Sequence, residues 1–253
     1  MKNYLYSRAA RVHVAAAVAA ALLLSGFNIV AGQGHRPDGE DPLSSRREEN
    51  GRVRSDDYRV TVARLKYGGG GDWYADPSSL PNLLDAFERR TGIPTASVEK
   101  VIEPGDPELP SYPFLYMTGH GNVSFSGTEL ERLRSHLLAG GFLYADDNYG
   151  MDESFRKTVA LLFPGRELAA VPLDHPIYRC FYELDGPPKI HEHDGNPPVG
   201  LGVFDGDRLM LFYTYESDVG DGLEDADVHG DPPASRELAM RMAVNVFYYA
   251  MTR

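Results

Sequence analysis

Residues 113–121 read PFLYMTGHG and residues 140–148 read GGFLYADDN. Each is a short, nearly continuous apolar run that stops in small and polar residues. Such runs are expected of strands covered on both faces, as in a parallel sheet. Between them, Ser126 and Glu129 form a capping-box pattern ahead of Leu130, Leu133, Leu137 and Leu138, and Gly140–Gly141 ends the helix. Strand, helix, strand at this spacing is the unit of an α/β fold.

The alternation continues on either side. Tyr58–Tyr67 (YRVTVARLKY) alternates apolar and polar residues and predicts a strand. A helix follows, capped by Ser78 or Ser79, with Pro81 in its first turn. Its apolar face is Leu80, Leu83, Leu84 and Phe87, and Gly92 stops it. Ala96–Ile102 predicts a second strand. After Asp146–Asp147–Asn148 comes a helix with Phe155, Val159, Leu162 and Phe163 on one face, stopped by Pro164. Val199–Phe204 and Leu209–Tyr215 predict a hairpin across Asp205–Gly206–Asp207, and Ser235 is expected to cap a final helix. The pattern predicts a mostly parallel α/β sheet with helices on both faces.

Composition narrows the function classes. Among 253 residues, 37 are acidic and 25 basic, for a net charge of -12, and 42% are hydrophobic. That content fits neither global disorder nor a multi-span membrane protein. An acidic balance argues against nucleic acid, whose phosphates need clustered Lys and Arg. The single cysteine, Cys180, can make no internal disulfide or CxxC zinc site, and it reads as a small buried residue.

The N-terminus has the order of a secretory signal peptide over 1–32. Lys2, Arg8 and Arg11 precede an apolar run, Val12–Leu24, and small residues Val30–Ala31–Gly32 close it. Kept uncleaved, the segment would be the chain's only link to a membrane. Residues 33–57 are dense in charge and poor in apolar content, as expected of a disordered linker. Residues 58–253 then form one domain. The signal sets the expected location as periplasmic or extracellular, and removal of 1–32 leaves 22 basic and 37 acidic residues, a net charge of -15.

In open parallel sheets, ligands bind beyond the carboxyl ends of the strands. Three such ends are expected to converge here. Gly68–Gly71 with Asp72, Trp73 and Tyr74 either approaches a ligand through Gly69 and Gly70 or forms a tight turn that positions the two aromatics. His120, between Gly119 and Gly121, is either a general base or metal ligand, or a strand-end residue bonded to backbone. Asp146 and Asp147 are either catalytic carboxylates or helix caps. Asp174–His175–Pro176 offers an Asp–His pair or an extended turn, and His175 is kept as a ligand-binding candidate. His191 and His193 would share one face of a strand at a usable metal spacing, but their glycine and proline neighbours predict an exposed loop. Residues 185–231 carry twelve Asp or Glu against Lys189 and Arg208, expected to be a solvated acidic loop. No metal or cofactor is assigned.

Arg64–Tyr67, the following GGGGDWY and Ser79–Leu83 together resemble the uncharacterised DUF4159 family. So do Thr118–Gly121, Gly140–Leu143 with Asp146–Asp147, Asp174–Tyr178, Gly200–Val203 and Ser217–Gly222. The resemblance covers about residues 58–253. It implies a three-layer flavodoxin-like sandwich similar to class I glutamine amidotransferases, in a bacterial envelope-associated protein. Amidotransferases carry a cysteine nucleophile at a strand-to-helix elbow. The strand corresponding to that elbow delivers Asp146–Asp147 here, so thiol-dependent amidotransfer is excluded. Two readings follow. The first is a non-catalytic module that binds a small ligand or an envelope protein partner at the strand ends. The alternative is a hydrolase using Asp146 or Asp147 with His120, metal-assisted or not, on an envelope carbohydrate or peptide-like substrate.

Overall fold

A computed structural model describes residues 59–253. The expected signal peptide, 1–32, and the whole expected linker, 33–57, lie outside the described residues, as does Tyr58. Five strands run parallel in the order β2 (Lys100–Ile102), β1 (Ala63–Leu65), β3 (Phe114–Met117), β4 (Phe142–Asp146) and β7 (Arg208–Tyr215). β6 (Val199–Asp205) is antiparallel to β7, and β5 (Ala169–Ala170), a two-residue strand, closes the far edge against β6. The sheet therefore has seven strands and is mostly parallel. Its first four strands stand in the flavodoxin order, and the direction of winding reverses between β1 and β3.

β3 and β4 are buried at every position. They pair in register, Phe114 opposite Phe142 through Met117 opposite Ala145. Because side chains alternate along a strand, the pair feeds two cores. Phe114, Tyr116, Phe142 and Tyr144 face the cluster with α1 (Ser79–Thr91) and α5 (Pro233–Thr252), including Leu83, Phe87 and Phe247. Leu115, Met117, Leu143 and Ala145 face α2 (Gly127–Leu138) and α3 (Asp152–Leu162) through Leu133, Leu137, Phe155 and Val159. The result is a three-layer sandwich.

Several local expectations hold in detail. Ser126 and Glu129 form a complete capping box on α2, and Gly92 closes α1 in the left-handed conformation. Others are corrected. β1 spans three residues, with Val60 contributing only an isolated bridge to Thr95, so its regular part is shorter than the alternating pattern. α5 starts at Pro233, and Ser235 sits inside its first turn rather than at the cap. Proline suits that first position because its missing N–H would have no partner there and its φ is already helical. α4 (Val219–Leu223) is a single short turn after β7.

Candidate functional site at the strand ends

The loop after β1 is zipped to the loop after β3. Gly68 and Ser124 exchange backbone hydrogen bonds, Gly71 N–H donates to Asn122 O (3.0 Å), and Asp72 N–H donates to His120 O (3.2 Å). A Cβ at Gly69 would lie 2.8 Å from Asn122 O, and one at Gly71 would lie 2.6 Å from His120 O. The glycine run thus serves the approach of a second backbone, and the Gly68 and Gly71 amides are already paired. The Asp72 carboxylate accepts the His120 backbone N–H and faces His120 Nδ1 at 3.1 Å. Trp73 packs partly onto the core with Lys66 over its ring, whereas Tyr74 is exposed.

Behind this loop, buried Arg64 donates to Ala75 O (2.7 Å) and Asp76 O (3.1 Å), and its Nε meets Glu99 at 3.2 Å. It thereby fixes Asp76, a buried residue with φ of 54°. Asn148 Nδ2 reaches both Asp76 oxygens at 2.8 and 2.7 Å, and Thr118 Oγ1 donates to Asn148 Oδ1 at 2.9 Å. The ends of β3 and β4 are in this way tied to the first loop.

Asp146 is fully buried. It accepts Gly220 N–H at 2.6 Å and the Thr214 hydroxyl. Asp147 accepts Met151 N–H at 3.3 Å, at the start of α3. Gly220 is where the groups meet. A Cβ there would overlap Asp76 Oδ2 and lie 2.7 Å from the Tyr116 hydroxyl, itself buried and without a hydrogen-bond partner among the described residues.

Segment 185–198 folds over this edge. Ile190 N–H donates to Ser217 O (2.9 Å), and Lys189 Nζ pairs with buried Glu216 at 2.7 Å. His193 Nε2 contacts Asp218 Oδ2. His191 stands between carboxylates, with Nδ1 2.9 Å from Asp221 Oδ2 and Nε2 3.0 Å from Asp231 Oδ1. His229 Nε2 lies 3.7 Å from Asp221 Oδ1 and 3.5 Å from Glu224 Oε2. Segment 185–231 is therefore not simply a solvated acidic loop. Glu216, Asp218 and Glu224 are buried, because the segment packs its acids inward over the strand ends.

Two costs accumulate here. Among the described residues, the non-glycine positions with positive φ are Asp76, Tyr149, Glu216 and Asp218, and all four lie at this edge. Left-handed backbone is unfavourable for such residues and concentrates at functional sites. The carboxylates are also crowded. Burial, then the Asp221 charge, holds Asp76 well above the ordinary carboxylate range, and burial does the same to Asp146. Burial and Asp221 push Asp218 up to about 7, against the pull of His191 and His120. Burial would lower His191, but Asp231 and Asp221 outweigh it and raise it overall.

The three expected strand ends do meet. Asp72 and His120 pair directly, while among the described residues no hydrogen bond or ion pair joins His120 to Asp146 or Asp147. A Cβ at Gly119 would collide with the Tyr67 hydroxyl and Asp72 O, and Gly121 O accepts a hydrogen bond from Ser154. His175 stands at the opposite end of the sheet. Its Nδ1 accepts Ile177 N–H at 3.2 Å, capping a single 3-10 turn, and it lines a groove of about 790 Å³ with Phe204, Arg208 and Tyr249. A family model described as "Domain of unknown function (DUF4159)" matches residues 61–251. The chain belongs to the DUF4159 family. Comparison with curated proteins returns no match.

In this DUF4159 domain, sequence reasoning missed Asp76, Asp218, Asp221 and His229 as members of the edge. A signal was present in Ser217–Gly222, where two glycines alternate with acids directly after a core strand. Asp76 had none. Its partners Asn148 and Asp221 are distant in the chain, and only the folded sheet brings them to it.

Proposed function

We propose that this is an exported cell-envelope protein whose DUF4159 domain is a binding module, taking a ligand or protein partner at the carboxyl ends of β1, β3, β4 and β7. The observation that carries the reading is the concentration of left-handed non-glycine residues and buried carboxylates at that one edge. A fold keeps both costs only where the surrounding structure holds them, and binding is the common reason. The crowded negative charge selects for a cationic or hydrogen-bond-donating group. Exposed Tyr74 and Tyr149 flank the edge and offer flat apolar contact to a larger partner.

Hydrolysis through Asp146, Asp147 and His120 has less support. Each aspartate is engaged in a cap or strand-end bond, and neither is joined to the imidazole. A thermal-shift screen of the full-length protein against polyamines, amino sugars and divalent ions tests the binding reading. A ligand that raises the melting temperature and loses its effect in Asp218→Asn supports it. Hits that persist unchanged in that variant, or no hit at all, contradict it. Export is tested by fractionation, with a mature N-terminus near residue 33 expected by mass spectrometry.

A further inference from the structure

We infer that His191, Asp221 and His229 form a binding site for a divalent transition ion of the zinc type, closing over the strand-end edge. The inference rests on the binding reading above and names the ligand's chemistry.

The donors are already grouped. One ligand atom from each residue lies within 4.8 Å of the other two. Zinc–nitrogen and zinc–oxygen bonds of about 2.0–2.2 Å place the ligands of a tetrahedral ion roughly 3.3–3.5 Å apart. The Asp221 carboxylate stands between the two rings, its Oδ2 2.9 Å from His191 Nδ1 and its Oδ1 3.7 Å from His229 Nε2, so small side-chain rotations bring one oxygen and both nitrogens to that spacing. Two imidazoles and a carboxylate are the donor set preferred by zinc and its neighbours, whereas calcium and magnesium prefer oxygen alone. His191 also has the outer contact usual for a metal-bound histidine. With Nδ1 on the ion, its Nε2–H points at Asp231 Oδ1, 3.0 Å away, which fixes the tautomer and ring orientation.

Independent of the donor triad, a neighbouring polar group is incomplete. Asp218 is 2% exposed, and its Oδ2 lies 3.4 Å from His191 Nδ1, yet among the described residues its Oδ1 has no hydrogen-bond partner. Buried carboxylate oxygens are normally satisfied, and an orphaned one beside a ligand set points to an ion or its bound water. Asp218, Asp221, Glu224 and Asp231 crowd the imidazoles His191, His193 and His229, so a dication relieves the repulsion among the carboxylates. The triad leaves a fourth position, which water or a donor atom of a bound partner would fill.

The test is isothermal titration of EDTA-treated, untagged full-length protein with zinc chloride, and separately with magnesium chloride. One zinc per chain is expected, with magnesium at least tenfold weaker. His229→Gln, on an exposed loop where folding is not at risk, should weaken zinc by tenfold or more. Asp231→Asn, touching only the far nitrogen of His191, should weaken it by about 10–100-fold. His136→Gln on α2 should bind as the wild type does. No saturable zinc binding, or equal affinity in His229→Gln and wild type, overturns the inference. If zinc fails while another ligand still shows Asp218-dependent stabilisation, the metal assignment falls and the binding reading stands. If zinc fails and no ligand stabilises, both fall.

Discussion

Asp146 shows how a single residue can serve the fold and still be shaped by the site around it. Its carboxyl is fully buried, receives Gly220 N–H and the Thr214 hydroxyl, and is held by burial well above the ordinary carboxylate range. A carboxyl raised in the folded state contributes stability that is fully present below its unfolded pKa and lost as pH rises through the folded value. Asp146→Asn keeps the shape and has no proton to lose; its amide oxygen can accept Gly220 N–H while its Nδ2–H donates to Thr214 Oγ1, reversing that bond. It should therefore flatten the decline of stability as pH rises above the ordinary carboxylate range, losing less than the wild type between urea melts at pH 4 and pH 8. Asp146→Ala should instead cost about 1–3 kcal/mol at both pH values, because the Gly220 amide is left buried and unpaired. Cys180 gives a second check at this scale. Burial pushes its thiol up to about 12, and its Sγ–H donates to Asn245 O at 3.1 Å. Iodoacetamide at pH 8 should leave the folded protein unmodified by mass spectrometry and label it fully in denaturant.

At the level of elements, glycine substitutions separate close approach from mere flexibility. At Gly220, in the first turn of α4, a Cβ collides with Asp76 and the Tyr116 hydroxyl, so Gly220→Ala should cost about 1–3 kcal/mol and loosen α4 from the strand ends. At Gly127, the first residue of α2, nothing lies within 4 Å of a Cβ, and Gly127→Ala should stabilise by about 0.5–1 kcal/mol. Chemical denaturation of the two variants checks the contrast. Elements of this kind were largely legible in the sequence, since the buried runs of β3 and β4, the Ser126–Glu129 box and the Gly92 stop depend on neighbours a few residues away. What was not legible depends on distant partners. The edge strand β5 is two alanines with no pattern, and the burial of Asp218 and Glu224 follows from a segment that folds back over β7. Local composition reported their charge correctly and could not report their cover.

Across the whole molecule, acidic excess and fold topology act on the same place. The sheet reverses its winding between β1 and β3, and the loops that leave those strands meet the β4 and β7 ends. Segment 185–231, the densest acidic stretch of a chain with net charge -12, closes over them. Convergence of the first three strand ends could be read from strand polarity alone. The fourth could not, because β7 enters the parallel sheet only through its pairing with β4. The occupant inferred for that edge is a divalent cation. The direct measurement is an anomalous-difference map at the zinc absorption edge from crystals of the full-length protein grown with zinc. A single strong peak bonded to His191, Asp221 and His229 at about 2.0–2.2 Å is expected. An empty edge, or peaks only at other histidines such as His120, His136 or His175, would contradict it.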